Sequence, residues 1–372
     1  MNRFLPAILT ALSLVVPLTA NAAVTPAQQL MSKLAWRSIG PYIGGRAVAI
    51  AAVPGRNLFY MGSVQGGIWK STNYGQNWVN ISDGKLPSTA TSIGALAIAP
   101  SNPRVIYAGT GESDIRQDFD TGDGIFKSTD GGDTWAYAGL REAHQTAAMV
   151  VDPRNPNVVY AASMGHVFKP NAERGIYKTT DGGKTWRKVL YVDANTGGND
   201  VVIDLKHPNT LYATMWQAQR FPWKLVSGGP GSGVYKTTDG GAHWTNVSKN
   251  PGFAAGTLGK MGVAVAQSDP RVVYAMVQAR EGGVFRSADG GATWKRVNAE
   301  MKLRQRAFYY MAIYVDPTNP QIAFVPQVDG TFKSTDGGKT WKPATPSGDH
   351  HIYWVDPTNT KIQFDGNDGG AT

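Results

Sequence analysis

One octapeptide, Ser128-Thr129-Asp130-Gly131-Gly132-Asp133-Thr134-Trp135, returns along the chain at nearly even intervals. It recurs as Thr179 to Trp186, Thr237 to Trp244, Ser287 to Trp294 and Ser334 to Trp341, with a worn copy from Ser71 to Trp78 that carries Asn73 in place of Asp. The residue types describe a rigid hairpin turn. An Asp carboxylate accepts hydrogen bonds from the amides of its own turn, and glycine enters positive φ without steric cost. The Trp then starts the next strand and brings a large apolar face. A repeat with a fixed period constrains the architecture more than any composition does.

A second repeat interleaves with the first. Pro54, Pro100, Pro153, Pro208, Pro270, Pro317 and Pro357 each end an apolar run, often as Val-Asp-Pro-x-Asn, and a strand centred on Tyr60, Tyr107, Tyr160, Tyr212, Tyr274, Phe324 or Phe364 follows. One unit therefore reads strand, Pro/Asn turn, strand with Tyr, loop, short strand, Asp turn, strand from Trp. The tryptophans stand 57, 51, 58, 50 and 47 residues apart, the period of a four-stranded propeller blade. A parallel β-helix needs shorter repeats, and alternating strand–helix units need a helical period that is absent. The expectation is an all-β chain, a β-propeller of about seven blades. Six blades read as complete and the seventh as incomplete, because the chain stops at Thr372 before a seventh Asp turn. Trp36-Arg37-Ser38-Ile39 resembles a strand after such a turn and is expected to close the ring, and the whole reads as a truncated part of a longer protein.

Residues 1–22 have the layout of a secretory signal peptide: Arg3, an apolar run from Phe4 to Leu18, then Ala20-Asn21-Ala22. The run is too short and proline-interrupted for a spanning helix. The reading is an exported protein, periplasmic or extracellular, with one propeller domain over 23–372. The chain has 44 Gly and no Cys, and a core of this size does not need disulfides. The net charge is +9, but Lys and Arg are scattered rather than blocked, so no nucleic-acid partner is expected.

The repeated turn resembles the Asp-box, or BNR repeat, of sialidases, sortilins, xyloglucanases and photosystem assembly factors. The chain is most similar to exported bacterial BNR-repeat proteins of glycosyl-hydrolase-like or sortilin-like kind, through Trp36-Arg37-Ser38-Ile39-Gly40-Pro41, Gly44-Gly45-Arg46 and Gly109-Thr110-Gly111-Glu112. The resemblance implies the fold and says little of activity. Xyloglucanases carry Arg-Thr-Asp-Val-Gly-Gly with a catalytic Asp in their first blade. Here Gly62-Ser63-Val64-Gln65-Gly66-Gly67 puts Val64 at that place, which argues against that chemistry. Arg220-Phe221-Pro222 is a poor echo of the sialidase Arg-Ile-Pro motif.

In an antiparallel four-stranded blade the Pro/Asn turns and the Asp-boxes share one face, so function is expected on the other. Loops there are uneven: from the second-strand aromatic to the Asp-box Ser/Thr, blades one, five and six take 11, 13 and 10 residues, and blades two, three and four take 21, 19 and 25. The long loops bring Glu112 among several aspartates, His166 and Arg174, and Trp216, Arg220, Phe221 and Trp223. Acids beside aromatics suit carbohydrate, since sugar faces stack on rings and carboxyl groups cleave glycosides.

Counting back eight residues from each strand-ending proline gives Arg46, Ser92, Gln145, Asp200, Gly262, Tyr309 and Asp349, expected around the central channel. Glu112, Asp200 and Asp349 are the acid/base candidates, and Arg46, Gln145, His166, Trp216, Arg220, Trp223 and Tyr309 the substrate-binding ones. Adjacent His350 and His351 point to opposite faces of a strand, so no metal or cofactor is expected. The function read from these features is binding and hydrolysis of a polysaccharide or other glycan. The alternative is a non-catalytic, sortilin-like or assembly-factor-like module for peptides or proteins.

Overall fold

In each Asp-box the carboxylate closes its own turn. Ser128 Oγ donates to Asp130 Oδ1 at 2.7 Å, the Thr134 amide donates to the same oxygen at 2.9 Å, and Thr134 Oγ1 donates to Oδ2 at 2.6 Å. The same bonds recur around Asp181, Asp289 and Asp336, and His243 replaces the threonine at Asp239. Gly131 and Gly132 sit at φ of 80° and 94°, where only glycine is unstrained. These hydrogen bonds favour the ionised form and hold the box aspartates well below the usual carboxylate range, to about 2 at Asp289 and Asp336.

The computed structural model describes Thr25 and residues 45–372. The expected signal peptide and the segment from Trp36 to Pro41 lie outside the described residues. From Gly45 onward the chain forms seven antiparallel sheets in sequence order. Blade one is built of Ala47–Ala52, Phe59–Ser63, Gly67–Ser71 and Val79–Asn80, and blade two of Ile93–Ile98, Ile106–Thr110, Ile125–Ser128 and Ala136–Tyr137. Blades three to six repeat the pattern, and blade four adds Lys224–Ser227, which pairs with the end of the long strand Leu211–Phe221. Blade seven has His350–Val355, Gln363–Asn367 and a short third strand, Gly370–Ala371. That third strand is one more than the sequence reading gave. The fold is the expected seven-bladed β-propeller, with three strands of the last blade among the described residues. Among the described residues no helix is long and apolar enough to cross a membrane.

The first strands of blades one to six pack side by side in turn, and blade seven's first strand packs on blade one's first and blade six's second, so the first strands surround the axis. Space there is scarce: a Cβ on Gly94 would meet Gly111 O at 2.2 Å and Thr146 O at 2.5 Å. Apolar cores fill the wedges between blades. Tyr107, Ile125 and Ala138 of blade two pack on Met149, Val151 and Val159 of blade three. Phe59 of blade one meets Phe364 of blade seven at 5.0 Å between ring centroids. The ring closes there too by the Gly55 amide, which donates to Asp356 Oδ2 at 2.9 Å.

A polar latch repeats between blades. Tyr60 Oη and Lys70 Nζ both donate to Gly131 O, in the Asp-box of the next blade, at 3.2 and 3.0 Å. Tyr160 with Lys178 on Gly240 O, and Tyr212 with Lys236 on Gly290 O, repeat it. Each Asp-box also bonds its own blade's Pro/Asn turn, as in Gly131 N to Arg104 O and Gly182 N to Asn157 O. Both kinds of turn therefore lie on one face, and the long connections emerge on the other.

Blade one tests the turn chemistry. Asn73 offers one acceptor oxygen, to Ser71 Oγ and the Asn77 amide at 3.0 and 2.9 Å. Replacing Asn73 by Asp and Asn77 by Thr restores the second oxygen and its hydroxyl partner. The double variant is expected to raise the thermal midpoint by about 2 °C, as one added net hydrogen bond of ~1 kcal/mol would in a domain of this size. Differential scanning calorimetry checks it, and Asp130→Ala should lower the midpoint.

Candidate functional site

The long connection of blade two folds back on itself. The Glu112 amide donates to Asp120 O at 3.0 Å, and the Asp123 amide donates to Thr110 Oγ1 at 2.7 Å. This leaves an open groove of about 730 Å³ between blades one, two and three, lined by Gln65, Ser88, Thr89, Thr91, Ser92, residues Asp120 to Asp123, Arg141, Glu142 and His144. Its two aspartates are held in place. Asp120 accepts from Ser92 Oγ at 2.5 Å and Gln65 Nε2 at 3.2 Å, and Asp123 from Thr89 Oγ1 at 2.6 Å and Arg141 at 2.5 Å. His144 stands at φ 51°, ψ −92°, a sparsely populated conformation for a residue with a Cβ.

Rings continue from the groove. His144 meets His166 edge-on at 5.3 Å, His166 meets Phe168 at 5.6 Å, and Phe168 stacks on Phe119 at 5.1 Å. Phe168 is 46% exposed, and its carbonyl accepts from Gln219 Nε2 of blade four at 2.9 Å. On the adjoining hairpin Trp223 is 77% exposed and lies 5.9 Å from Phe221. Arg174 staples this surface from beneath. It is fully buried, and its guanidinium donates to the carbonyls of Asn195 at 2.5 Å, Ala218 at 2.8 Å and His166 at 3.2 Å. Burial without a carboxylate bonded to it lowers its pKa to about 10.

The axis holds a second space of about 220 Å³. All seven blades line it, chiefly through small residues of their first strands, with Asp114, Asp200, Lys260, Tyr309, Tyr310, Tyr314 and His351 as the polar set. Lys260 Nζ donates to Asp114 Oδ1 at 2.6 Å and to the carbonyls of Tyr309 and Phe308 at 2.8 and 3.3 Å. Arg46 donates to Glu112 Oε1 at 2.9 Å. Glu112 is fully buried and its Oε2 has no partner. Burial, with the nearby Asp114 charge, pushes its carboxyl up to about 7 against the pull of Arg46.

The residues named from sequence fall into three groups. Arg46 joins Glu112, and Tyr309 lies close enough to both for their charges to act on its phenol, although its hydroxyl has no hydrogen-bond partner. Asp200 lines the axial cavity, where enclosure raises its carboxyl to about 6 and the Val263 amide donates to Oδ2 at 3.1 Å. Asp349 stands against Arg306 at 3.3 Å, so the three acid/base candidates have different partners: Arg46 for Glu112, the Val263 amide for Asp200 and Arg306 for Asp349. Gln145 is buried at the start of its strand.

His166 and Trp223 belong to the exposed ring surface. Trp216 does not: it is fully buried, with Nε1 donating to Ser227 Oγ at 3.1 Å and Lys260 Nζ 5.4 Å from its ring centre. The expected platform is a core residue, because blade four's second strand runs on to Phe221 and carries Trp216 inside. Arg220 lies in that same strand and is only 7% exposed. His350 turns to Asp365 and His351 to Asp368, opposite ways as alternation on a strand requires.

Sequence reasoning missed Lys260, Tyr310, His144 and Phe168, and gave Asp114 and His351 no place on the axis. Lys260 lies two residues before Gly262 in the channel count, so a wider window at each strand start would have found it.

Two family models match the chain: one described as sortilin, neurotensin receptor 3, over residues 123–252, and the BNR/Asp-box repeat over residues 332–343. A xyloglucanase of Paenibacillus sp. is 27% identical over 267 residues, which is 64% of this chain and 24% of the relative. A xyloglucanase of Hypocrea jecorina is 25% identical over 62% of this chain and 29% of its own length. The chain thus spans about a quarter of the length of these curated relatives. Among solved structures, an ancestral GH74 enzyme aligns with a TM-score of 0.67 at 20% identity, covering 90% of this chain and 45% of that one. YCF48 bound to D1 peptide aligns with a TM-score of 0.59 at 13% identity, covering 88% and 92%. At these identities the likeness to solved structures shows the propeller fold.

The raised carboxyls set a pH dependence. The folded protein binds a proton at Glu112 more tightly than the unfolded chain, whose carboxyl keeps a value near 4.5. The associated stability is complete below about pH 4.5 and is lost as pH rises through about 7, a loss of the order of 3 kcal/mol. The Asp-box carboxylates act in the opposite sense, with stability present above about pH 4 and lost as pH falls toward 2. Glu112→Gln should therefore flatten the fall of the thermal midpoint between pH 5 and 8 while leaving its acid limb in place, as measured by thermal melts across pH.

Proposed function

We propose that this chain, a BNR/Asp-box-repeat β-propeller of glycosyl-hydrolase-like kind, binds a glycan along the groove and ring surface that cross blades one to four on the loop face. One observation carries the reading. A groove of about 730 Å³ lined by hydroxyls and fixed carboxylates leads through His144 and His166 to Phe168 and the exposed Trp223. Hydroxyl and carboxylate edges match sugar hydroxyls, and open ring faces match the apolar faces of sugar rings. The similarity to xyloglucanases supports the same class of ligand.

Binding rather than bond cleavage is the activity assigned here. The acids named from sequence do not line the groove, since Glu112 is committed to Arg46, Asp349 to Arg306, and Asp200 to the axial cavity. The two aspartates that do line it, Asp120 and Asp123, are held by Ser92, Gln65, Thr89 and Arg141, an arrangement suited to binding sugar hydroxyls. Export, as the leader-like residues 1–22 suggest, would place the propeller where polysaccharides are met.

A peptide is the second reading. The sortilin-type match covers 123–252, which takes in the long connections of blades three and four, and a propeller of similar fold is solved with a bound peptide. A glycan array separates the two, followed by titration of the best hit. Trp223→Ala with Phe168→Ala should weaken that hit at least tenfold, about 1.4 kcal/mol, with the fold unchanged by circular dichroism. A blank array together with capture from a peptide library would instead establish the second reading.

A further inference from the structure

The axial cavity shares no lining residue with the groove, and its chemistry differs. We propose that it is a binding site for a small organic ammonium, held by Asp200 among Tyr309, Tyr310 and Tyr314.

The charges point to a monocation. Lys260 uses its donors on Asp114 and two carbonyls, so these two charges cancel. His351 is nearly fully buried, and Asp368 faces its Nε2 at 2.9 Å. A carboxylate at that nitrogen holds the proton there, so Nδ1, which is buried and has no partner, is left as an acceptor. Asp200 faces backbone amides and carries no salt bridge. Once ionised, Asp200 has no ion pair of its own and only the field of Lys260, which is already bonded to Asp114, a costly state that a bound cation relieves.

The shape of the donor and acceptor set selects an ammonium over a metal ion. Among the described residues no cluster of three His, Asp or Glu is arranged for metal ligation. The cavity offers instead the Asp200 carboxylate, the His351 nitrogen and phenol oxygens as acceptors. The Tyr309 and Tyr310 hydroxyls make no well-formed hydrogen bond, although Arg46 lies beside the first and Asp349 beside the second, so each oxygen keeps a lone pair for a ligand's N–H. Their rings stand 5.0 Å apart at 76°, and the Asp200 charge acts on the Tyr314 phenol. Aromatic walls beside a carboxylate are the surroundings in which organic cations bind. A space of about 220 Å³ is the volume of about seven waters at ~30 Å³ each, enough for an alkylammonium or a single amino sugar.

Isothermal titration of the full chain with methylammonium, ethanolamine and glucosamine, against ethylene glycol and glucose as neutral counterparts, tests it. One saturable site in the millimolar range is expected for the ammonium compounds, with the neutral counterparts at least tenfold weaker. Binding of glucosamine alone would define the ligand as an amino sugar, and binding of all three as any primary ammonium. Asp200→Asn should weaken binding at least tenfold and Tyr310→Phe severalfold, while Trp223→Ala leaves it unchanged, so failure here is distinct from failure of the glycan reading. Equal binding of the neutral compounds, unchanged affinity in Asp200→Asn, or no binding by any ammonium overturns the proposal. Should Asp200→Asn not fold, the neutral comparison and Tyr310→Phe decide it.

Discussion

Each Asp-box is a joint with two sides. Its carboxylate gathers the amides and hydroxyls of its own turn, which fixes the hairpin. In three of the boxes the glycine carbonyl beside it, that of Gly131, Gly240 or Gly290, receives a tyrosine hydroxyl and a lysine ammonium from the preceding blade. A flexible turn could not offer that carbonyl at a constant place. The apolar wedges between blades supply most of the favourable free energy, but they are non-directional. The latch fixes the angle at which one sheet meets the next, and a repeated angle is what bends a row of sheets into a ring.

Because the turns absorb this task on one face, the opposite face is free of it. The long connection of blade two makes charge pairs with other blades: Glu112 with Arg46 of blade one, and Asp114 with Lys260 before blade five. These pairs are buried, so removing one partner would leave an uncompensated charge. They act as ties that hold the groove wall and the channel mouth in register. Of the acids named as catalytic candidates in the sequence, Glu112 is one of these ties.

How far a residue could be placed from sequence depended on what fixes it. The box aspartates and the turn prolines are set by bonds within a few residues, and each lies where the repeat puts it. Channel positions are set by strand register, and counting from the prolines put Asp200 and Tyr309 on the axial cavity, although the register shifts beside Asp200 and Tyr309 precedes its blade's first strand. In blade six the first strand is reduced to Tyr314–Val315, so Tyr310 and His351, which stack at 6.0 Å, came from outside the count. Trp216 failed for a similar reason. Whether an aromatic in a long connection is a platform or a core residue depends on how far the strand continues, and an 11-residue strand in blade four took it inside while leaving Trp223 at the hairpin tip in water.

The sequence by itself determined the repeat, the four-stranded unit, the number of blades and the division into a scaffolding face and a working face. All of these follow from local chemistry: glycine at positive φ, a carboxylate beside its own amides, alternation along a strand. Only the tertiary structure decided which charges meet, that Glu112 belongs to Arg46 and Asp349 to Arg306, and that Asp200 stands without a counter-charge on the axis. Those outcomes depend on loops from different blades arriving at the same few ångströms. Nothing local in the chain specifies that arrival, because it is set by the closure of the ring.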